Sequence, residues 1–182
     1  MKYLSIILLI FIAACSSDQE KRVSRENIRF TTSDASELFF KNVRQTSYDK
    51  QGLPGSDIQI FRLSDRNMNP DHPVVNLAIA LNWMYDQAYL VVETNEYLDD
   101  EENVIVNWKD PDTDSTGTYV FEGGSKEDNF RWAVDIYTSI QDDHDLYIMV
   151  NDKEEPLMDD KAEREAYRRT MLDYLRLVDL IR

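Results

Sequence analysis

The sequence predicts an α+β fold, an antiparallel β-sheet of about five to six strands with helices packed mainly on one face. Two patterns and one composition predict it. Apolar residues alternate with period two through the middle of the chain, and they recur at helical spacing before and after that stretch. The 182 residues are 42% hydrophobic and 11% aromatic with only five glycines and five prolines, which suits a packed core and excludes both wholesale disorder and a fibrous protein.

The elements follow in order. Thr32-Ser33-Asp34 opens a first helix, with Ser33 as N-cap and Asp34 and Glu37 in the first turn, where the helix dipole favours carboxylates. Leu38, Phe39, Val43 and Thr46 share one face of it, and Gly52-Leu53-Pro54-Gly55 ends any continuation. Ile58 and Ile60 alternate but Phe61 and Leu63 switch parity, which predicts a strand that is bulged or apolar on both sides. Val75, Leu77, Ile79, Leu81 and Trp83 mark the clearest strand, and Met84 to Gln87 turns it into a second, Ala88 to Thr94, as a hairpin. Short strands at Val104 to Trp108 and Thr118 to Phe121 flank an acidic loop. Gly123-Gly124-Ser125 supplies a break and a cap for a helix carrying Phe130, Ala133, Val134, Tyr137 and Ile140. Leu146, Ile148 and Val150 make one more strand, and a last helix from about Asp159 puts Tyr167, Thr170 or Met171, Tyr174, Val178 and Ile181 on one face.

The N-terminus differs from all of this. Lys2 precedes an apolar run from Tyr3 to Ala14 that only Ser5 interrupts. Twelve helical residues rise roughly 18 Å at about 1.5 Å each, short of a hydrocarbon core of about 30 Å, so the run reads as a signal-peptide core and not as a span. It ends in Ile12-Ala13-Ala14-Cys15, an aliphatic residue, two small ones and the chain's single cysteine. This pattern resembles the lipobox of bacterial lipoproteins. The resemblance implies a diacylglyceryl group on Cys15, cleavage before it and acylation of the new amine, and two or three acyl chains anchor far more firmly than one. Ser16 after the cysteine implies delivery to the outer membrane. Ser16-Ser17-Asp18-Gln19-Glu20 resembles the acidic tethers of surface-exported lipoproteins of Bacteroidota, and the remaining chain resembles Bacteroidota lipoproteins that carry no assigned activity. The periplasmic and the exterior side both stay open. The expected organisation is a signal peptide over residues 1–14, a lipidated tether over 15–26 and a single α+β domain over 27–182.

Charge sets further bounds. With 35 acidic against 20 basic residues the net charge is −15, which argues against nucleic acid because no basic excess exists to displace counterions from phosphates. Removing residues 1–14 takes away one lysine and no acid, leaving −16. Two segments hold most of it: Glu96 to Ser115 and Asp142 to Asp160 each contain eight carboxylates and one lysine. Such segments keep a domain solvated, or, where both lie at one edge of the sheet, attract a cation or a basic partner.

Within the first of them, Asp110-Pro111-Asp112-Thr113-Asp114 places carboxylates at alternate positions, a spacing that lets side chains converge on a hard cation such as calcium. It resembles the first half of an EF-hand loop, with Ser115 where glycine belongs and Phe121 where the bidentate glutamate belongs. Asp110, Asp112 and Asp114 are therefore the candidate metal ligands, with calcium the only cofactor in view. His72 lies between Asp71 and Pro73 and His144 among Asp142, Asp143 and Asp145, but no G-x-S-x-G, H-E-x-x-H or phosphate-binding glycine loop is present, and no catalytic residue is assigned. A lipidated Cys15 leaves no thiol for a disulfide or a nucleophile. Trp83, Tyr85, Tyr89 and Trp108 form a stacking platform for a sugar or peptide if they are exposed, and core if they are not. The expectation is a lipid-anchored envelope protein whose domain binds a cationic, peptide or glycan partner or serves structure, with glycan processing as the alternative.

Overall fold

A computed structural model describes residues 22–181, so the expected signal peptide, Cys15 and the expected tether up to residue 21 lie outside the described residues. Arg22 pairs with Asp142, and Arg25 Nη1 lies 3.0 Å from Asp135 Oδ2, so the chain enters along the helix that carries Asp135 and ends at its C-cap, Asp142. Helix α1 (Asp34–Phe39) starts at the expected cap: the Ser33 hydroxyl accepts from the Ser36 N–H at 3.2 Å, and the Ser36 hydroxyl accepts from the Ser33 N–H at 3.0 Å. A π-turn (Phe40–Arg44) and a 3-10 turn (Gln45–Ser47) continue it.

The expected shared face of this helix points outward. Leu38 is 60% and Val43 53% exposed, whereas Ser36 and Phe40 are buried. Specific contacts set that rotation. The Phe40 ring meets Phe61 edge-on at 5.2 Å, the Ser36 hydroxyl donates to Leu177 O at 2.7 Å, and Arg44 Nε donates to Asp173 Oδ1 at 2.7 Å.

Among the described residues, eight strands form two four-stranded antiparallel sheets, and with three α-helices they make an α+β fold. The first sheet runs in chain order: β1 (Tyr48–Gly52), β2 (Ile58–Leu63), β3 (Val75–Asn82) and β4 (Gln87–Thr94). Its β2–β3 register is unbroken from Ile58 opposite Asn82 to Arg62 opposite Ala78, so β2 carries no bulge in that ladder and is apolar on both faces. Phe61 and Leu63 join the main core, while Ile58 and Ile60 join Ala78, Ala80, Tyr89 and Val91 in a small cluster on the other face.

The second sheet has the order β6-β5-β7-β8, with β5 (Val104–Lys109), β6 (Thr116–Phe121), β7 (Asp145–Val150) and β8 (Lys153–Leu157). Helix α2 (Lys126–Gln141), capped by Ser125, connects β6 to β7 and touches both β4 and β6. Helix α3 (Lys161–Leu177), capped by Asp160, lies on β3 and β4. One hydrophobic cluster runs through the inner faces of both sheets and the helices, from Ile79 and Leu90 through Phe130, Tyr137 and Tyr174 to Ile148. The single sheet of five to six strands expected from the sequence is thus two smaller ones, separated by a 3-10 turn (Glu96–Leu98) and joined through a shared core.

Candidate binding face

The two acidic segments meet on the second sheet. β5 belongs to one and β7 and β8 to the other, and in the β5–β7 ladder Lys109 stands opposite Asp145. Toward the other end of the second sheet, on β8 and the turn before it, the Tyr97 hydroxyl reaches both Glu155 oxygens at 3.1 Å, and the Asn151 N–H donates to Glu101 Oε1 at 2.7 Å. Between these ends Asn107 Nδ2 donates to Glu154 Oε1 at 2.7 Å. Asp145 and Glu154 from one segment and Asp114, paired with Lys109, from the other therefore rim one face, whereas Glu155, opposite Ile148 and in phase with the buried Leu157, lies with Tyr97 on the core side of the sheet.

That face is the outer one. Val106, Leu146, Ile148 and Val150 point into the core, so by strand alternation Ile105, Asn107, Lys109, Tyr147 and Met149 point away from it. Val120 on β6, opposite Ile105, is 51% exposed. Asn107 is the polar centre, since its Oδ1 also accepts from the Thr118 hydroxyl at 2.7 Å. A groove of about 340 Å³ lies here, lined by Asn107, Lys109, Thr118, Tyr147 and Glu154 among others.

The Asp110–Asp114 turn organises itself from within. Asp110 Oδ1 accepts from the Asp112 N–H at 2.8 Å and Oδ2 from the Thr113 hydroxyl at 2.6 Å, and these bonds, the hydroxyl first, hold the carboxyl below its ordinary pKa. Asp114, at φ 58°, lies 2.8 Å from Lys109 Nζ, and that bond raises the lysine pKa. Asp110, Asp112 and Asp114 are not brought together around a point: among the described residues no three His, Cys, Asp or Glu side chains form a group able to hold a metal ion.

The histidines take structural partners. His72 is clasped by Asn67 Nδ2 at 2.8 Å and Asn69 Nδ2 at 3.2 Å, with Glu163 Oε1 3.4 Å away. His144 stacks on Trp108, with ring centroids 4.5 Å apart and planes 11° from parallel, and its Nδ1 lies 3.2 Å from Ser139 Oγ. Ser139 in turn lies 3.0 Å from the Tyr119 hydroxyl and is fully buried, so this Ser–His pair fastens α2 to the second sheet and offers no nucleophile to a substrate.

The aromatic residues do not converge on a platform. Lys41 Nζ covers the Trp83 ring at 4.7 Å, Tyr85 is 68% exposed at the turn, and Tyr89 lies on the outer face of the first sheet. Trp108 faces His144 and Gly117. Two larger cavities of about 430 Å³ lie elsewhere. One is lined by Arg62, Asn76, Glu93 and Asn95, but Arg62 and Glu93 engage each other through bonds of 2.6, 2.7 and 3.0 Å. The other lies between the end of α2 and the start of α3.

Sequence reasoning singled out the two acidic segments but missed Asn107, Tyr147 and Glu154. Tyr147 is marked as outward by its phase against Leu146 and Ile148 and Asn107 by its phase against Val106, whereas the outward place of Glu154 follows from its register opposite Met149. No protein-family model matches the chain, and no curated protein or solved structure matches it either.

Proposed function

We propose that the chain is a lipid-anchored protein of the bacterial cell envelope whose domain works by binding, not by catalysis, and that the outer face of its second sheet takes a cationic polypeptide partner. The observation that carries this reading is the convergence of the two acidic segments on one sheet face, with Lys109 against Asp145 and Asn107 against Glu154. Carboxylates rimming the half-buried apolar positions Ile105, Tyr147 and Met149 suit a partner with both basic and apolar side chains. The lipobox sequence ending at Cys15 supports the anchor.

Two measurements test it. Calorimetry with poly-L-lysine is expected to show binding that weakens as salt rises and that falls when Asp145→Asn and Glu154→Gln are combined. Binding untouched by those changes overturns the assigned face, and no binding overturns the partner class. For the anchor, Cys15→Ser is expected to leave an unprocessed precursor without fatty-acid label, and normal labelling of that variant rejects it. A glycan partner is favoured only if an oligosaccharide protects Asn107 and Tyr147 while poly-L-lysine does not.

A further inference from the structure

An edge strand exposes backbone N–H and C=O groups that template pairing with another strand unless something guards them. Three of the four edges in this fold are guarded. β1 carries Asp49 and Lys50 within its five residues. β4 is engaged by its own chain: the Ala88 N–H donates to Phe30 O at 2.8 Å, the Val92 N–H donates to Asn129 Oδ1 at 2.9 Å, and Thr31 bridges Gln87. β8 reads Lys153-Glu154-Glu155-Pro156-Leu157, three charges and a proline that has no N–H to offer.

β6 has none of these devices. Thr116-Gly117-Thr118-Tyr119-Val120-Phe121 contains no charge and no proline, and its register with β5 is unbroken from Thr116 to Phe121. The Asp110 N–H donates to Ser115 O at 2.8 Å, which sets the phase of the ladder. Gly117, Tyr119 and Phe121 therefore bond toward β5, and Thr116, Thr118 and Val120 turn their backbone groups outward. Among the described residues no hydrogen bond reaches those outward groups. Beside them a groove of about 250 Å³, lined by Val120, Phe121 and Trp132 and by Asp135 with its partner Arg25 among others, gives the side chains of an added strand somewhere to go.

We propose that β6 is a docking edge that takes up an extended, basic polypeptide segment as a fifth strand of the second sheet. Charge selects the occupant. Asp110, Asp112 and Asp114 stand in the turn that enters the strand and Glu122 at its exit. A second copy pairing antiparallel through the same edge would set the aspartate turn of one chain beside Glu122 of the other, on chains of net charge −15 each, and repulsion opposes it. The sign of the partner's charge rests on the proposed function, whereas the open edge stands on backbone geometry alone.

The test uses the full mature chain and the octapeptide Lys-Val-Lys-Val-Lys-Val-Lys-Val, with the matching Glu-Val octapeptide and poly-L-lysine beside it. At saturating Lys-Val peptide, hydrogen exchange at the Thr116, Thr118 and Val120 amides is expected to slow by about tenfold or more. Thr118→Pro removes an outward N–H that β5 does not use, and Thr118→Lys installs the guard that other edges carry. Both are expected to weaken the peptide by about tenfold, and the lysine variant keeps its melting temperature. Absent or misplaced protection, or wild-type affinity in Thr118→Lys, overturns the proposal. Equal protection by the Glu-Val peptide overturns the basic occupant, and self-association lost in Thr118→Lys replaces it with a second copy. If poly-L-lysine binds while the β6 amides exchange freely with the Lys-Val peptide, the docking edge fails and the proposed function survives.

Discussion

Asp173 holds three elements together from inside the core. Its side chain is fully buried on α3, where it accepts from Arg44 Nε at 2.7 Å and from the Tyr48 hydroxyl at 2.8 Å, with Arg176 Nη1 at 3.8 Å. A buried carboxylate survives only with such partners, and removing one side of a buried pair strands the other. Asp173→Asn keeps the shape and removes the charge, so it is expected to destabilise by about 3–5 kcal/mol, read as a lower urea midpoint. Burial first, then the charge of Asp173, pushes the Tyr48 pKa well above its ordinary value, and burial raises Tyr167 and Tyr174 as well. A folded pKa above the unfolded one means that the unfolded chain loses these protons first. Their contribution is therefore complete below about pH 10 and lost as the pH rises from there, so the part of the phenolate absorbance that these three buried tyrosines supply is expected to appear together with unfolding and not before it. Gly117 is a different kind of constraint: a Cβ there would lie 2.6 Å from Trp108 Nε1. Gly117→Ala is expected to cost about 1–3 kcal/mol and to shift tryptophan fluorescence as the ring moves off His144. The sequence marks neither residue, because Asp173 shares the buried face of α3 through tertiary partners and Gly117 owes its role to a ring on the neighbouring strand.

At the scale of elements, α1 shows where periodicity is overruled. Leu38, Phe39 and Val43 share a helical face, yet the face that docks is Ser36, Phe40 and Arg44, because each of these finds a specific partner on α3, β1 or β2. Phe40→Ala is therefore expected to cost about 3–5 kcal/mol, whereas Val43→Lys stays within about 0.5 kcal/mol. Chemical denaturation of both variants checks the rotation, and a large loss in Val43→Lys would reverse it. The long alternating and helical elements, β3, β4, α2 and α3, were legible because their apolar spacing is sustained. β1 and β8 were not: Tyr48-Asp49-Lys50-Gln51-Gly52 buries only its tyrosine and Lys153-Glu154-Glu155-Pro156-Leu157 only its leucine. As edge strands they owe their conformation to the ladder beside them, and their polar sequences suit an exposed edge.

For the whole molecule, the sequence told that charge is concentrated but not that the concentrations coincide. Their meeting depends on β5 pairing with β7 across the intervening β6 and α2, a non-local choice that local pattern does not encode. The consequence is self-repulsion on one sheet of a chain carrying −15. Added NaCl screens it, and the melting temperature is expected to rise, each kcal/mol gained reading as about 2–4 °C at this size. Calcium separates screening from ligation. Asp110 is already engaged by Thr113 and the turn amides and Asp114 by Lys109, so calcium and magnesium chlorides at matched ionic strength are expected to raise the melting temperature equally. A rise specific to calcium and dependent on its concentration would mean ligation of the folded state, since only binding to that state shifts the transition by mass action. That result would require the turn to open, Asp110 to release Thr113 and Lys109 to leave, and Asp110→Asn would then abolish the calcium-specific part while leaving the screening part intact.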